Sequence, residues 1–373
     1  LSYLHNNFAR TQGRTTASTL RAALAPHLRD TDAARFDFAL HLAERARLIK
    51  IVGQRLRPDP KPSTDWLRAP GRDQLRQLFE TWRSDTSWPD LQHVAALQID
   101  RAVSIKSDPV AIRAVSLAAL HEAVPGAWHT LAALSDRLKT QSPDFVRADF
   151  DTDYVREAAS GEYLRGFAAW DRLEGALIRD LVTRPLHWLG LIDLDDHASV
   201  FRLTATGAAL LGLDSSERSI EAAPLFIARA DATISVSAVR RYDRFQLARV
   251  ADPLALSGDE YLYRITPSSL ERAASQKIDA PKVIDFLARA ATQPVPLALN
   301  KAIQRWLKRG REVKVERAVI VRVKEAAILK RLQESPKTRG ISIEVLGPTA
   351  ARINEKDWPR LVKILAEAGV LVD

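Results

Sequence analysis

The stretch YLYRITPSSLERA, residues 261–273, joins a strand pattern directly to a helix pattern. Tyr261, Tyr263 and Ile265 alternate with other side chains, which is the period of a strand with one buried face. Thr266 can cap a helix with its hydroxyl, and Pro267 suits the first helical position, where no N–H is needed. The joint therefore predicts a domain that mixes strands and helices.

Cysteine is absent from all 373 residues, and this excludes several classes of site together. Disulfides, thiolate zinc sites, iron–sulfur clusters and cysteine nucleophiles all need that side chain. The sequence also has no apolar run near 18 residues and no signal-peptide core, so we expect a cytoplasmic protein without a membrane anchor. An apolar share of 46% is enough to bury the cores of two or three domains.

Positive charge is concentrated in one stretch. The chain carries a net charge of +9, and its sequence pI is near 9.8. Residues 301–340 hold 13 Lys and Arg against four Asp and Glu, an excess equal to that of the whole chain. Such a balance favours a polyanionic partner, most often nucleic acid, although a solvated basic face is the plainer alternative.

Residues 1–105 read as two helices followed by a ribbon. Helical periodicity covers 15–25 and 32–46, and LIKIVGQRLRPD, residues 48–59, reads as two short strands around Gly53. Helix, helix and β-wing is the order of the winged-helix variant of helix-turn-helix. We predict a first winged-helix domain with a helical extension.

Residues 106–220 repeat this plan without repeating the sequence. Helical stretches precede strands at 191–194 and 200–203, which flank an acidic turn. We predict a second winged-helix-like domain. Residues 225–373 differ, because strands predicted at 232–236, 245–252 and 261–265 alternate with helices, so we predict a mixed α+β domain there.

Several of these stretches together resemble a known family. ADATISV, RFQLARVADP, YLYRITPSSLERA, APKVIDFLARAA and GREVKVERAVIV follow one another between residues 231 and 332. In order and spacing they resemble the N-terminal domain of the XPB/Rad25 family of DNA-repair helicases. The whole chain looks like a bacterial helicase-associated protein in which winged-helix segments precede this domain. The resemblance implies DNA engagement and protein contacts beside a motor, and no catalysis of its own.

The sequence lacks the residues that motor or metal chemistry needs. It contains no G-x-x-x-x-G-K-[ST], which cradles nucleotide phosphates, and no H-E-x-x-H. Asp193, Asp195, Asp196 and His197 could bind a hard cation, but a solvated turn between two strands explains them better. We expect no enzymatic activity, no metal and no cofactor.

Two sets of basic residues are candidate DNA contacts. In the first domain, Arg35 and Arg45 lie on the recognition helix and Lys50, Arg55 and Arg57 on the wing. That helix also carries acidic residues, so a protein-binding or spacer role stays open. In the second domain, basic residues such as Arg172, Arg179 and Arg184 interleave with Asp171, Glu174 and Asp180, which favours a solvated or protein-facing helix.

The second set lies in the basic stretch, where charged side chains oppose the apolar face of their elements. Its members are Lys301, Arg305, Lys308, Arg309, Arg311, Lys314, Arg317, Arg322 and Lys324. Contacts of this kind are tolerant of sequence and sensitive to salt.

The favoured hypothesis is a non-catalytic, nucleoid-associated protein that binds DNA and is linked to DNA repair or to a helicase. One alternative is an adaptor for a separately encoded helicase or nuclease, because residues 1–300 are balanced in charge. Another is a winged-helix transcription regulator.

Overall fold

The computed structural model describes residues 1, 2, 4, 15–25, 28, 30–52, 55–100, 107–148, 150, 154–213, 224–310, 318–367, 369 and 370. The chain forms two compact units, residues 1–307 and 308–373. Both contain helices and small antiparallel sheets, as an α+β fold requires. None of the described helices combines the length and the apolar character that a bilayer crossing requires.

The first segment contains two helices and a hairpin. Helices α1 (Thr15–Leu24) and α2 (Ala33–Arg45) precede strands β1 (Ile49–Val52) and β2 (Arg55–Pro58), which pair antiparallel. Asp32 begins α2, because its carboxylate accepts the amides of the second and third following residues. The predicted element order is present, and the predicted turn at Gly53 and Gln54 lies outside the described residues.

Two further helices, α3 (Pro60–Arg68) and α4 (Gly71–Arg83), complete this part of the first unit. A short strand, β3 (Leu97–Ile99), pairs antiparallel with β5 (Val155–Glu157). The pairing ties the first predicted domain to the second.

The second segment contains a three-stranded sheet and four helices. Its elements are α5 (Pro109–Leu120), β4 (Trp128–Thr130), α6 (Leu131–Gln141), α7 (Trp170–Leu181), β6 (Ile192–Leu194), β7 (Val200–Leu203) and α8 (Ala205–Leu210). The sheet order is β4-β7-β6, all antiparallel. Strand β4 was not predicted from the sequence. It has only three residues, and the last of them, Thr130, also caps α6.

One apolar core serves the first two segments. It extends from Phe38 on α2 through Trp82 on α4 to Leu173 on α7 and Phe201 on β7, all of them buried. The core around Trp82 therefore contains residues from both sides of position 105, the predicted end of the first domain. The domain limits themselves remain predictions. Between α7 and β6, one π-helical turn (Val182–Leu186) accommodates a proline that lacks the usual amide donor.

The third segment is built on a four-stranded antiparallel sheet in the order β10-β11-β9-β8. Its elements are β8 (Phe226–Ala228), β9 (Thr233–Ser237), α9 (Arg241–Leu247), β10 (Asp252–Ser257), β11 (Glu260–Arg264), α10 (Pro267–Ser275), α11 (Ala280–Ala290) and α12 (Leu297–Arg309). The joint after β11 is as predicted: Tyr263 and Ile265 are buried, and Thr266 and Ser269 form a reciprocal capping box.

The strand predicted over residues 245–252 is wrong. Helix α9 ends at Leu247, turns follow, and strand β10 begins only at Asp252. Leu247 and Ala251 are both fully buried, and they are four residues apart, which is a helical spacing. A short apolar run fits both periods, so the sequence pattern alone did not separate them.

The second unit has its own small core. Strands β12 (Ala318–Arg322), β13 (Ile343–Gly347) and β14 (Ala350–Asn354) form a sheet in the order β12-β14-β13. Helices α13 (Ala326–Glu334) and α14 (Trp358–Glu367) contribute to its core, which centres on Leu332, Ile353 and Leu361.

Candidate functional site

Three of the five basic residues predicted on the first recognition helix and wing lie beside carboxylates. Arg35 Nη1 lies 3.0 Å from Asp30 Oδ2, and Lys50 Nζ lies 2.9 Å from Asp59 Oδ1. Arg45 Nε lies 3.3 Å from the buried carboxylate of Asp85. Of the two remaining candidates, Arg57 is half-buried, and the side chain of Arg55 lies outside the described residues. Their contact with DNA stays a prediction.

The helix predicted to carry solvated ion pairs, α7, in fact buries one of its carboxylates. Glu174 lies in the core, and its carboxylate accepts hydrogen bonds from Nε and Nη2 of Arg147 at 2.6 and 2.7 Å. On the same helix Asp171 pairs with Lys139 at 2.7 Å. Glu174 therefore ties α7 to the chain that follows α6. The prediction of a solvated helix was wrong for this residue.

The candidate cations of the basic stretch are exposed wherever the structure describes them. Lys301 and Arg305 follow the buried Leu299 and Ile303 by two positions, so they lie about 200° round helix α12 from that core face. Lys308, Arg309, Arg322 and Lys324 are exposed as well. Arg311, Lys314 and Arg317 lie outside the described residues.

A basic cleft in the first unit was not predicted. It is a cavity of about 510 Å³ between the end of α3, α9 with the turn after it, the end of α10, and α11. Of the described residues that line this basic cleft, six are cationic and one, Asp243, is a carboxylate. The cations are Arg68, Arg240, Arg249, Lys277, Lys282 and Arg289.

Three of these cations are paired with carboxylates close by in the chain. Arg240 Nε lies 2.7 Å from Asp243 Oδ2. Lys282 lies 3.5 Å from Asp279, and Arg289 lies 3.0 Å from Asp285. The carboxylates largely neutralise these three cations, so the cations add little to the attraction for an anion.

Arg249 is held in place without being neutralised. Its Nε donates to Gln276 Oε1 at 3.2 Å, and its Nη1 donates to Gln246 Oε1 at 2.9 Å. Both acceptors are neutral amides, and no carboxylate among the described residues pairs with this guanidinium. Burial lowers the pKa of Arg249 below its ordinary value, yet a guanidinium stays charged at neutral pH. A fixed, partly desolvated cation is the kind of group that binds phosphate.

Arg68 is likewise attached to a neutral partner. Its Nη2 donates to the Tyr242 hydroxyl at 2.8 Å, and its guanidinium carbon lies 4.5 Å from the centre of that ring. The pair joins α3 to α9, which are 174 residues apart in the chain. Among the described carboxylates, none pairs with Arg68.

Lys277 occupies a backbone position that usually belongs to glycine. Its φ is +61°, and the amide of Ile278 donates back to Ala273 O at 3.0 Å, which closes helix α10 in a left-handed C-terminal cap. An L side chain there costs about 1 kcal/mol relative to glycine. The lysine instead places an exposed ammonium at the cleft, and no described carboxylate pairs with it.

Counting charges along the chain could not find this site. Arg68, Arg249 and Lys277 are isolated in sequence, and only the fold brings them to one cavity. The sequence held one weak indication: Lys277 stands just after the end of a helix, at a position where glycine is usual. The arrangement offers three uncompensated cations and two aromatic side chains, Tyr242 and Phe286, to an anionic ligand. No cluster of metal-binding side chains occurs within the described part of the chain.

Comparison with known families relates part of the chain to helicases. Residues 226–347 match the family described as helicase conserved C-terminal domain. No curated protein matches the chain. The match includes every cleft residue except Arg68, and it overlaps the stretch predicted to resemble a helicase family. The helicase relationship is confirmed at this general level, and the particular resemblance to the XPB N-terminal domain stays a prediction.

Proposed function

We propose that this chain is a non-catalytic, helicase-associated protein that binds nucleic acid, foremost DNA, through the basic cleft. The observation that carries the proposal is the set of three cations, Arg68, Arg249 and Lys277, which converge on one cavity without carboxylate partners among the described residues. Phosphate groups along a strand are the ligands that such a set attracts. Five of the cleft's six cations lie in the helicase-matched part, consistent with a helicase context.

Two features support a role without motor activity. The sequence has no phosphate-cradling G-x-x-x-x-G-K-[ST]. The described strands of residues 226–264 are all antiparallel, whereas the βαβ units that build nucleotide sites use parallel strands. These residues would then hold nucleic acid for a motor that lies outside the 373-residue sequence.

The element order of the first two segments supports tandem winged helices. Helices α1 and α2 precede the β1–β2 hairpin. In the second segment the order is α5, β4, α6, β5 and α7, followed by the β6–β7 hairpin. In such modules a helix and the hairpin meet duplex DNA. The carboxylates on Arg35, Arg45 and Lys50 weaken that contact in the first segment, so the basic cleft is the stronger candidate.

The double variant Arg249→Gln, Lys277→Gln is expected to weaken DNA binding about tenfold or more at 50 mM salt, because each cation contacts phosphate. The slope of log K against log salt should fall by about one for each lost cation. Fluorescence anisotropy with duplex, forked and single-stranded DNA measures both. Arg289→Gln is the matched control, since that cation is already paired with Asp285 and its loss should matter little. Equal weakening by the control would contradict the assignment of the cleft.

The same assay tests the basic stretch. Reversal of Lys308, Arg309 and Arg311 to Glu weakens binding if those residues contact DNA as the sequence predicts. If no DNA binds in a salt-dependent way to the unaltered protein, the adaptor alternative is favoured and the proposed function is wrong.

Lys277→Gly separates stability from binding at one residue. Glycine relieves the left-handed backbone, so the free energy of unfolding should rise by about 0.5–1 kcal/mol, while DNA affinity falls because the ammonium is lost. Lys277→Ala removes the same charge and keeps the backbone strain, so it should weaken binding without the gain in stability. Chemical denaturation and anisotropy on the three proteins decide the matter. A glycine variant that binds DNA as tightly as the unaltered protein would show that the lysine has no role in binding.

A further inference from the structure

The shape of the basic cleft bears on which form of nucleic acid it accepts. Duplex DNA is read by helices or strands that protrude into its grooves, the wider of which is about 12 Å across. The basic cleft is concave instead, and its volume of about 510 Å³ is in the range of sites for nucleotide-sized ligands. A strand whose bases are unpaired can enter such a cavity, whereas a stacked duplex presents only its outer phosphates.

The lining combines the two kinds of side chain that single strands use. Phe286 is half-buried at one side, where its ring meets Phe226 edge to face with centroids 6.0 Å apart. At another side the Arg68 guanidinium lies over the ring of Tyr242. Aromatic rings and stacked guanidinium groups bind bases of any sequence, and cations beside them bind the phosphates.

Arg249 is suited to the phosphate between two such bases. Its hydrogen bonds to Gln246 and Gln276 use Nε and one N–H of Nη1, and no described residue takes an N–H of Nη2. The two amides fix the direction of the guanidinium, so the remaining N–H groups form a fork without further ordering. A fork of this kind matches two oxygens of one phosphate.

We infer that the basic cleft binds a single-stranded segment of nucleic acid, with a base on Phe286 or on the Arg68–Tyr242 pair and a phosphate on Arg249. The inference rests on the proposed nucleic-acid function and narrows it from DNA in general to an unpaired strand. Lys277 then contacts a neighbouring phosphate at the rim. A free nucleotide offers the same base and phosphate, and the experiment must separate it from a strand.

The test compares a labelled thymidine oligonucleotide, a duplex of equal length and thymidine monophosphate on the full chain. We expect the oligonucleotide to bind more tightly than the duplex. Arg249→Gln should weaken oligonucleotide binding about tenfold and duplex binding less than twofold. Tyr242→Leu should weaken oligonucleotide binding about fivefold or more, because one stacking surface is lost. Tyr242→Phe keeps the ring and should stay within about twofold of the unaltered protein.

The outcomes separate this inference from the proposed function. Equal losses on oligonucleotide and duplex, or tight duplex binding with no effect of Arg249→Gln, would overturn the single-strand assignment and leave nucleic-acid binding intact. Monophosphate that competes as well as the oligonucleotide at equal concentration would also overturn it, in favour of a free-nucleotide site. No binding of any of the three ligands would overturn both. Thermal unfolding of each variant checks that a loss of binding is not a loss of fold.

Discussion

Replacement of Arg113 by Ala is expected to lower the free energy of unfolding by about 3–5 kcal/mol, because it leaves a buried carboxylate without its partner. Arg113 is fully buried on α5, and its Nε lies 2.6 Å from Asp90 Oδ2. Its Nη1 donates to the carbonyls of Trp82 and Asp85 at 2.5 and 2.6 Å, and its Nη2 donates to Trp88 O.

The alanine variant removes a donor from each of these buried acceptors, and the carbonyls of Asp85 and Trp88 lose the donor that Arg113 gave them. Burial already raises the pKa of Asp90, and the positive charge of Arg113 opposes that rise. Without the guanidinium, the carboxyl group is expected to take up a proton or to draw water into the core, and either disturbs the packing around Trp82.

Urea denaturation followed by tryptophan fluorescence measures the change. Lys61→Ala is the control, because Lys61 and Asp65 form an exposed i, i+4 pair at 2.9 Å whose loss should change stability by less than about 0.5 kcal/mol. A similar midpoint for the two variants would mean that Arg113 does not support the core in this way.

Gly207→Ala is expected to destabilise the protein by about 3 kcal/mol, at the upper end of what overpacking a core produces. A β-carbon at Gly207 would lie 2.1 Å from Leu191 O and 2.8 Å from Leu191 C. These are backbone atoms of a fully buried residue, and the same carbonyl accepts the amide of Thr204 at 3.0 Å. The clash cannot be relieved by a side-chain rotation, so α8 must move away from the chain that leads into β6.

Gly175→Ala is the matched comparison, since it adds the same methyl group in another helix. Its β-carbon would meet Ser135 Oγ at 3.5 Å, which is ordinary contact. Alanine favours a helix interior over glycine by about 1 kcal/mol, so this variant should be as stable as the parent or more so. Thermal unfolding of both decides the point, and equal melting temperatures for the two variants would contradict the close approach at Gly207.

Local signals in the sequence predicted much of the secondary structure. The cap at Thr266 was predictable because a cap depends on one side chain and its nearest amides. The short wing was also predictable, since β1 and β2 are neighbours in the chain. Residues 245–252 were not, because eight residues with mixed apolar spacing satisfy a strand and a helix equally.

The basic cleft was not predicted, because residues from distant parts of the sequence form it. Composition predicted a binding surface in residues 301–340, because Lys and Arg are concentrated in that stretch of the sequence. Arg249 differs from those arginines of the cleft that pair with carboxylates, because no described carboxylate pairs with it. The charge of Glu174 is compensated by Arg147, which is 27 residues away in the chain. Whether a charge is compensated is a property of the folded surface.

The Arg68–Tyr242 contact gives the basic cleft a thermodynamic consequence. One wall comes from α3 in the first segment, and the others come from residues 240–290 in the helicase-matched segment. A ligand that touches both walls strengthens the attachment of one segment to the other. By reciprocity, attachment raises the affinity for the ligand by the same factor. Binding of such a ligand and the docking of the two walls are therefore one coupled equilibrium.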